Sequence, residues 1–197
     1  MPFIGVADVV VKQLDDKNWN LQQELCYQGK TDRWTVPDDT GTDFASVPRY
    51  FVWFLPRYGR YTKAAILHDY LWRVHAKEER MSWVDADAVF RRAMRELEVP
   101  FLRRWMMWTA VRWAALTKPR GLEGWWKESW RVVLMTLIAA PFVLPPAVVI
   151  FVSLMLFWVF EAIVWIPLKL FSLTKAKLTD QEPAKKVNAP SLELNMS

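Results

Sequence analysis

One histidine and three aspartates are the residues best suited to carry chemistry in this sequence. His68 and Asp69 are adjacent, Asp43 precedes them and Asp87 follows them. Neutral imidazole and carboxylate oxygens together suit zinc or a harder divalent ion. We therefore take all four as candidate catalytic residues and His68, Asp69 and Asp87 as candidate metal ligands. A metal-activated water at such a site would make the protein a hydrolase.

The same residues have a purely structural alternative. An ionisable group on an apolar helix face must find a partner, because its desolvation is otherwise costly. His68 could hydrogen-bond Asp87 across a helix interface, and Asp69 could pair with Arg73, four residues on. The sequence contains no glycine-rich phosphate loop and no His-Glu-x-x-His motif. Whether the protein is an enzyme therefore stays open at this stage.

Apolar spacing predicts the helices that position these residues. Between 61 and 74, apolar residues recur at intervals of three and four, which is typical of a helix. His68 falls within this apolar stripe, and Asp69 lies about 100° further round the helix. A second helix is predicted to begin at Ser82, and it places Asp87 on its apolar face.

Further elements complete an α+β domain. Alternating apolar residues between 3 and 36 predict two to four short antiparallel strands. A third helix is predicted to start near Pro100, with Trp105, Met106 and Trp113 on its core face. Its arginines are expected to lie towards lipid headgroups, so nucleic acid is not an expected partner.

The sequence changes character after residue 120. Residues 121–131 form a tryptophan-rich linker predicted to lie at a membrane interface, and no charged residue occurs between Val132 and Phe160. Pro145-Pro146 interrupts the membrane segment 132–168, so it is either a helical hairpin turning at the prolines or one kinked span. Because basic residues flank both ends, the hairpin is favoured. Residues 169–197 are predicted to be a basic, disordered tail.

A series of motifs links residues 5–117 to a known family. The motifs, in order, are Thr42-Asp43-Phe44-Ala45-Ser46-Val47-Pro48-Arg49, Gly59-Arg60-Tyr61, Leu67-His68-Asp69-Tyr70-Leu71, Ala86-Asp87-Ala88-Val89-Phe90 and Ala110-Val111-Arg112. Together they resemble the small phage and prophage proteins grouped as domain of unknown function 1353. The resemblance implies a phage or prophage origin and carries over no activity or cofactor. The apolar segment after Arg131 departs from the compact domain typical of that family.

These observations predict an α+β domain over residues 1–120, with a small N-terminal antiparallel sheet, about three helices and a C-terminal membrane segment. The expected partners are the lipid bilayer and another phage or host membrane protein. The expected location is the bacterial inner membrane, with the domain in the cytoplasm. The expected role is that of a membrane-anchored accessory protein, and the alternative is a membrane-tethered, metal-dependent hydrolase.

Overall fold

The computed structural model describes residues 3–5, 8–16, 18–30, 32–45, 47–179 and 189–191. In this part of the chain the fold is α+β, as predicted, with two small antiparallel sheets and four α-helices. The strands are short and precede all the helices. The last helix is far longer than the others and leaves the domain.

Six strands form the two sheets, more than the two to four predicted. The strands are β1 (Phe3–Ile4), β2 (Val11–Gln13), β3 (Trp19–Leu21), β4 (Leu25–Gln28), β5 (Arg33–Val36) and β6 (Gly41–Thr42). One sheet has the order β1-β4-β5 and the other the order β2-β3-β6. In the first sheet Tyr27 lies opposite both Phe3 and Trp34, and its side chain is fully buried. This sheet supplies the strand side of the core.

The three predicted helices of the domain are present. They are α1 (Thr62–Tyr70), α2 (Trp83–Glu96) and α3 (Phe101–Ala115). The hydroxyl of Ser82 accepts a hydrogen bond from the Asp85 amide at 3.1 Å, which caps the free amides at the start of α2. Pro100 immediately precedes α3, where its missing amide hydrogen costs no helical bond.

A π-helical segment, Leu71–Ala76, continues α1. Trp72 and Arg73 both lie on this segment. Such segments are rare and recur at functional sites. His75, on the same segment, packs edge-on against the rings of Trp34 and Tyr70, so it joins the sheet to the helices.

The core face of α3 differs from the predicted one. Trp113, which was expected on that face, is 40% exposed. The buried residues of α3 are instead Met106, Met107, Trp108, Thr109, Arg112 and Ala115. Because α3 packs on α2 on one side and on the last helix on another, its apolar residues do not form a single stripe, and the spacing was misleading.

Helix α4 (Trp125–Thr179) corrects the hairpin prediction, because it is one continuous helix of 55 residues that includes Pro141, Pro145, Pro146 and Pro167. Each proline removes only its own amide hydrogen bond, and in a long apolar helix the remaining bonds hold the chain helical. The linker tryptophans from Trp125 onward are therefore helical, and so are residues 169–179 of the predicted tail. Residues 180–188 and 192–197 of that tail lie outside the described residues.

The start of α4 is fixed against the domain. Gly124 has a φ of +65°, a conformation that glycine adopts without strain, and a Cβ there would lie 3.0 Å from the Val84 side chain. Trp125 and Val132 then pack with the fully buried Trp108 of α3. The first half of α4 is thus a helix of the domain as well as an extension from it.

Candidate functional site

The carboxylate of Asp87 is the centre of a buried hydrogen-bond network. His68 Nε2 lies 2.7 Å from Asp87 Oδ1, and Trp72 Nε1 donates to the same oxygen at 2.9 Å. Arg112 Nη1 donates to Oδ2 at 2.9 Å. Since a carboxylate paired with arginine is an acceptor, Nε2 is the protonated nitrogen of His68. Asp87 therefore joins α1, the π-helical segment, α2 and α3.

This network is closed to solvent. The side chains of Asp87 and Arg112 are both 0% exposed, and that of His68 is 8% exposed. All three donors point at one carboxylate, so both of its oxygens are occupied. A buried charge with a full set of partners holds helices in one arrangement, and loss of a partner is strongly destabilising. The geometry fits the structural alternative for His68 and Asp87.

Arg112 and Trp72 were missed as partners from the sequence. Arg112 was expected to face lipid headgroups, and the structure corrects this because its guanidinium is fully buried against Asp87. A signal was available: Arg112 lies four residues after Trp108 and three before Ala115, both buried on the same helix face. Trp72 offered no such signal, because its direction depends on the π-helical turn.

Asp43 and Asp69 form a second, separate cluster. Thr42 Oγ1 donates to Asp69 Oδ2 at 2.7 Å and accepts a hydrogen bond from the Phe44 amide at 2.9 Å. Arg73 Nη2 donates to Asp43 Oδ1 at 2.8 Å, rather than to Asp69 as the sequence suggested. The Asp43 side chain is 6% exposed, whereas that of Arg73 is 50% exposed.

The Asp43 carboxylate lies close enough to Asp69 to affect its ionisation. Burial is the main cause that raises the pKa of Asp69 to about 8, and the negative charge of Asp43 raises it further. Thr42 and Arg73 act in the opposite direction, because they favour the ionised form. The neutral, protonated form of the Asp69 carboxyl group is therefore favoured at pH 7.

The predicted metal ligands do not converge in the structure. His68 turns towards Asp87, while Asp69 turns towards Thr42 and Asp43, because neighbouring residues on a helix point about 100° apart. Among the described residues, no three His, Cys, Asp or Glu side chains are grouped so that they could hold a metal ion. The sequence brought these residues together as one set, and the structure separates them into two pairs.

A cleft of about 570 Å³ lies beside both clusters. The π-helical segment contributes Trp72 and Arg73 to its wall, and the loop between α3 and α4 contributes Lys118 and Arg120. The Lys118 ammonium lies 5.8 Å from the centre of the Trp72 ring, and Arg120 pairs with Glu79 at 2.9 Å. Trp72 and Arg73 therefore stand between the cleft and the two clusters, and none of the four candidate residues lines the cleft itself.

Comparison with known proteins agrees with the motifs found in the sequence. Residues 19–111 match the model of a family described as "Protein of unknown function (DUF1353)". The match includes Asp43, His68, Asp69 and Asp87, and it ends one residue before Arg112. No curated protein matches the chain, and no solved structure does. Residues 19–111 are therefore a domain of the DUF1353 family.

Proposed function

We propose that this protein is a membrane-anchored accessory protein of a phage or prophage, and that α4 holds its DUF1353 domain at the host inner membrane. By length and composition, α4 is the one helix among the described residues that is suited to crossing a membrane, over Trp125–Thr174. The phage origin rests on the family resemblance. The bilayer is the partner that this proposal requires, and a further phage or host membrane protein would be its target.

The exposure of α4 is the observation that carries the proposal. No residue between 148 and 174 is buried, yet this part of the helix is rich in leucine, isoleucine, valine and phenylalanine. A helix that is apolar on all sides is stable only inside a protein core or a bilayer. Glu161 is the sole charged residue between 132 and 168. A lipid environment is the simplest way to cover such a surface.

The far end of this segment has the features of a membrane boundary. The Lys169 ammonium lies 4.4 Å from the centre of the Trp165 ring. Tryptophan and lysine are the residues that anchor helix ends at the headgroup level. On the domain side, Lys118, Lys127 and Arg131 are also basic, so the charge of the two flanks does not set the orientation of the segment. The proposal keeps the domain in the cytoplasm, and reporter fusions at the two ends test this orientation.

The buried network supports a role in holding structure rather than in catalysis. Both oxygens of Asp87 are occupied by side chains of the protein, and the group has no exposed surface for a substrate. We assign it the task of fixing α1, α2 and α3 relative to one another. Because α4 packs on α3, the same network fixes the domain on its anchor.

Membrane extraction tests the anchor. The full chain should sediment with bacterial membranes and resist alkaline carbonate. A variant with four lysines on exposed positions of α4 should be released, because each charge within a span costs about 2.5–3.5 kcal/mol. The four substitutions are Val152→Lys, Leu156→Lys, Phe160→Lys and Ile163→Lys. The matched control carries four lysines on exposed positions of the domain, Ile4→Lys, Val10→Lys, Leu14→Lys and Phe101→Lys, and should remain bound. A wild-type chain in the soluble fraction would overturn the proposal.

One observation favours a second candidate, a membrane-tethered hydrolase. Asp69, whose carboxyl pKa is raised, lies near the Asp43 carboxylate, which pairs with Arg73 at the wall of the cleft, and carboxyl pairs of this kind serve as general acid and base. Phosphoester and carboxylic-ester hydrolysis should be measured with the full chain, together with its metal content. Activity that Asp43→Asn abolishes and Asp38→Asn retains would support this candidate. Asp38 is the control because it is an exposed aspartate.

A further inference from the structure

The segment between residues 47 and 63 has an unusual composition. It contains the four basic residues Arg49, Arg57, Arg60 and Lys63, and no acidic residue occurs between Asp43 and Asp69. Its aromatic residues are Tyr50, Phe51, Trp53, Phe54, Tyr58 and Tyr61. Aromatic and basic residues together are characteristic of protein surfaces that lie at the headgroup layer of a membrane.

This segment is a folded projection, which we call the aromatic knob, residues 49–61. It begins with a 3₁₀ helix, Arg49–Phe51, and the Leu55 amide donates to the Phe51 carbonyl at 2.9 Å. The Tyr61 hydroxyl donates to the Pro56 carbonyl and closes the knob at its base. Leu55 and Tyr61 are buried, so the knob is anchored in the core.

Large aromatic side chains remain exposed on this anchored structure. Trp53 is 46% exposed and Tyr58 is 72% exposed. Exposed aromatic residues held on a fixed backbone lose little conformational entropy when they bind a surface. Their exposure is therefore a feature that points to a partner outside the described part of the chain.

The knob lies against the middle of the apolar part of α4. The rings of Tyr50 and Phe151 are 6.4 Å apart and perpendicular. A crossing helix needs about 20 residues, and every stretch of that length within 132–168 contains Phe151. Whichever part of the apolar segment crosses the bilayer, Tyr50 must therefore lie at the membrane.

We propose that the aromatic knob is a second membrane-contacting element, which inserts Trp53 and Tyr58 into the headgroup layer of a bilayer that contains anionic lipids. This inference rests on the proposed membrane anchor and adds a site to it. Arg49 and Arg60, both exposed, would contact lipid phosphates, since arginine pairs well with phosphate. The charged knob belongs at the headgroup level, which places the start of the crossing part of α4 near Phe151.

The aromatic knob is continuous with the exposed apolar surface of α4, and this favours lipid over a protein as its partner. The knob and the exposed apolar surface of α4 meet at the contact between Tyr50 and Phe151, so a bilayer that covers one also reaches the other. The exposed basic residues Arg49 and Arg60 match the negative potential of the cytoplasmic leaflet. A second copy of the chain would bring two knobs of equal positive charge together.

Depth-dependent quenching in vesicles tests the proposal with the full chain. Cys26, the only cysteine, is buried and lies 3.5 Å from the Thr35 hydroxyl, so Cys26→Ser gives a background without thiols. In this background Tyr58→Cys, Leu14→Cys and Leu156→Cys are made one at a time, and each new cysteine carries an environment-sensitive fluorophore. Nitroxide quenchers are placed on the headgroups or on the acyl chains of phosphatidylcholine vesicles, with or without phosphatidylglycerol. Leu14, at 55% exposure on the domain surface, is the matched control.

The expected result is strong headgroup-nitroxide quenching at position 58, acyl-chain quenching at 156 and none at 14. Quenching at 58 should increase with phosphatidylglycerol, and Arg49→Gln with Arg60→Gln should remove that increase without affecting position 156. Quenching at 156 with none at 58 would overturn the knob proposal and leave the anchor intact. Shielding of position 58 from an aqueous quencher, without lipid quenching, would mean that protein covers the knob. No quenching at either 58 or 156 would overturn the proposed function itself.

Discussion

Asp87 and Arg112 form an ion pair of 2.9 Å in which neither side chain is exposed. Asp87 lies on α2 and Arg112 on α3, and the anchor helix α4 packs against α3. The pair therefore joins α2 to the helix that contacts the anchor. The same carboxylate accepts hydrogen bonds from Trp72 and His68. A single group therefore links most of the helical half of the domain.

The first prediction concerns the loss of this central charge. Asp87→Asn keeps the size of the side chain but removes the anion that lies 2.9 Å from the buried Arg112 guanidinium, which is left with Glu128 at 3.9 Å. We expect a loss of about 3–5 kcal/mol in the free energy of unfolding, as for other broken buried pairs. Denaturant unfolding of the full chain in detergent, followed by circular dichroism, measures it.

Two comparisons make this prediction specific. Asp38→Asn, at an exposed position, should change the free energy of unfolding by less than about 0.5 kcal/mol. The double variant Asp87→Leu with Arg112→Met should be more stable than the sum of the single changes implies, because no charge is left unpaired. An Asp87→Asn protein as stable as the wild type would refute the structural role.

The second prediction is a pH dependence that arises from Asp69. Its pKa is raised from 3.8 to about 8 in the folded protein. Between these values the folded state holds a proton that the unfolded chain has released, so stability falls as pH rises from about 4 to about 8. Asp69→Asn resembles the neutral acid and should remove this dependence. Melting temperatures of both proteins across that range measure the effect, and two parallel curves would contradict the assignment.

The third prediction concerns the contact between the domain and α4. Trp125 is 7% exposed and packs on Trp108, whereas its neighbour Trp126 is 75% exposed. Trp125→Ala should reduce the free energy of unfolding by about 3–5 kcal/mol, the usual cost of removing a buried aromatic side chain. Trp126→Ala is the matched control and should have little effect on unfolding. Equal losses for the two variants would mean that α4 does not pack on α3 as described.

The fourth prediction follows from the continuity of α4. One crossing helix places the domain and the tail after Thr179 on opposite sides of the membrane, whereas a hairpin at Pro145-Pro146 would place both on one side. Reporter enzymes that are active on only one side of the bacterial inner membrane, fused before Phe3 or after Ser197 of the full chain, distinguish the two. Reporters active on the same side at both ends would contradict the continuous helix.

Local patterns predicted most of the elements because helix signals are short-range. The apolar spacing around His68, the cap at Ser82 and the proline before α3 each act within a few residues, and all three helices are present where these signals lie. The family motifs were recognisable for the same reason. Segments of the sheet were also predicted, although the number of strands was too low.

The sequence predicted the apolar composition of α4, but it did not predict that the segment forms one continuous helix. A proline pair is a strong local signal for a break, and the hairpin prediction relied on it. The structure keeps one helix through Pro141, Pro145 and Pro146, where neighbouring residues supply enough hydrogen bonds to continue. The outcome depended on the whole segment rather than on the dipeptide.

The sequence by itself determined the α+β class, the three domain helices, the family and the long apolar segment, because composition and spacing encode these directly. Only the tertiary structure decided the partners of the ionisable residues. It joined His68 to Asp87 and Arg112, and Asp69 to Asp43, because those partners come from different helices and loops. Their meeting depends on how the helices pack and on the π-helical turn, which no local pattern specifies.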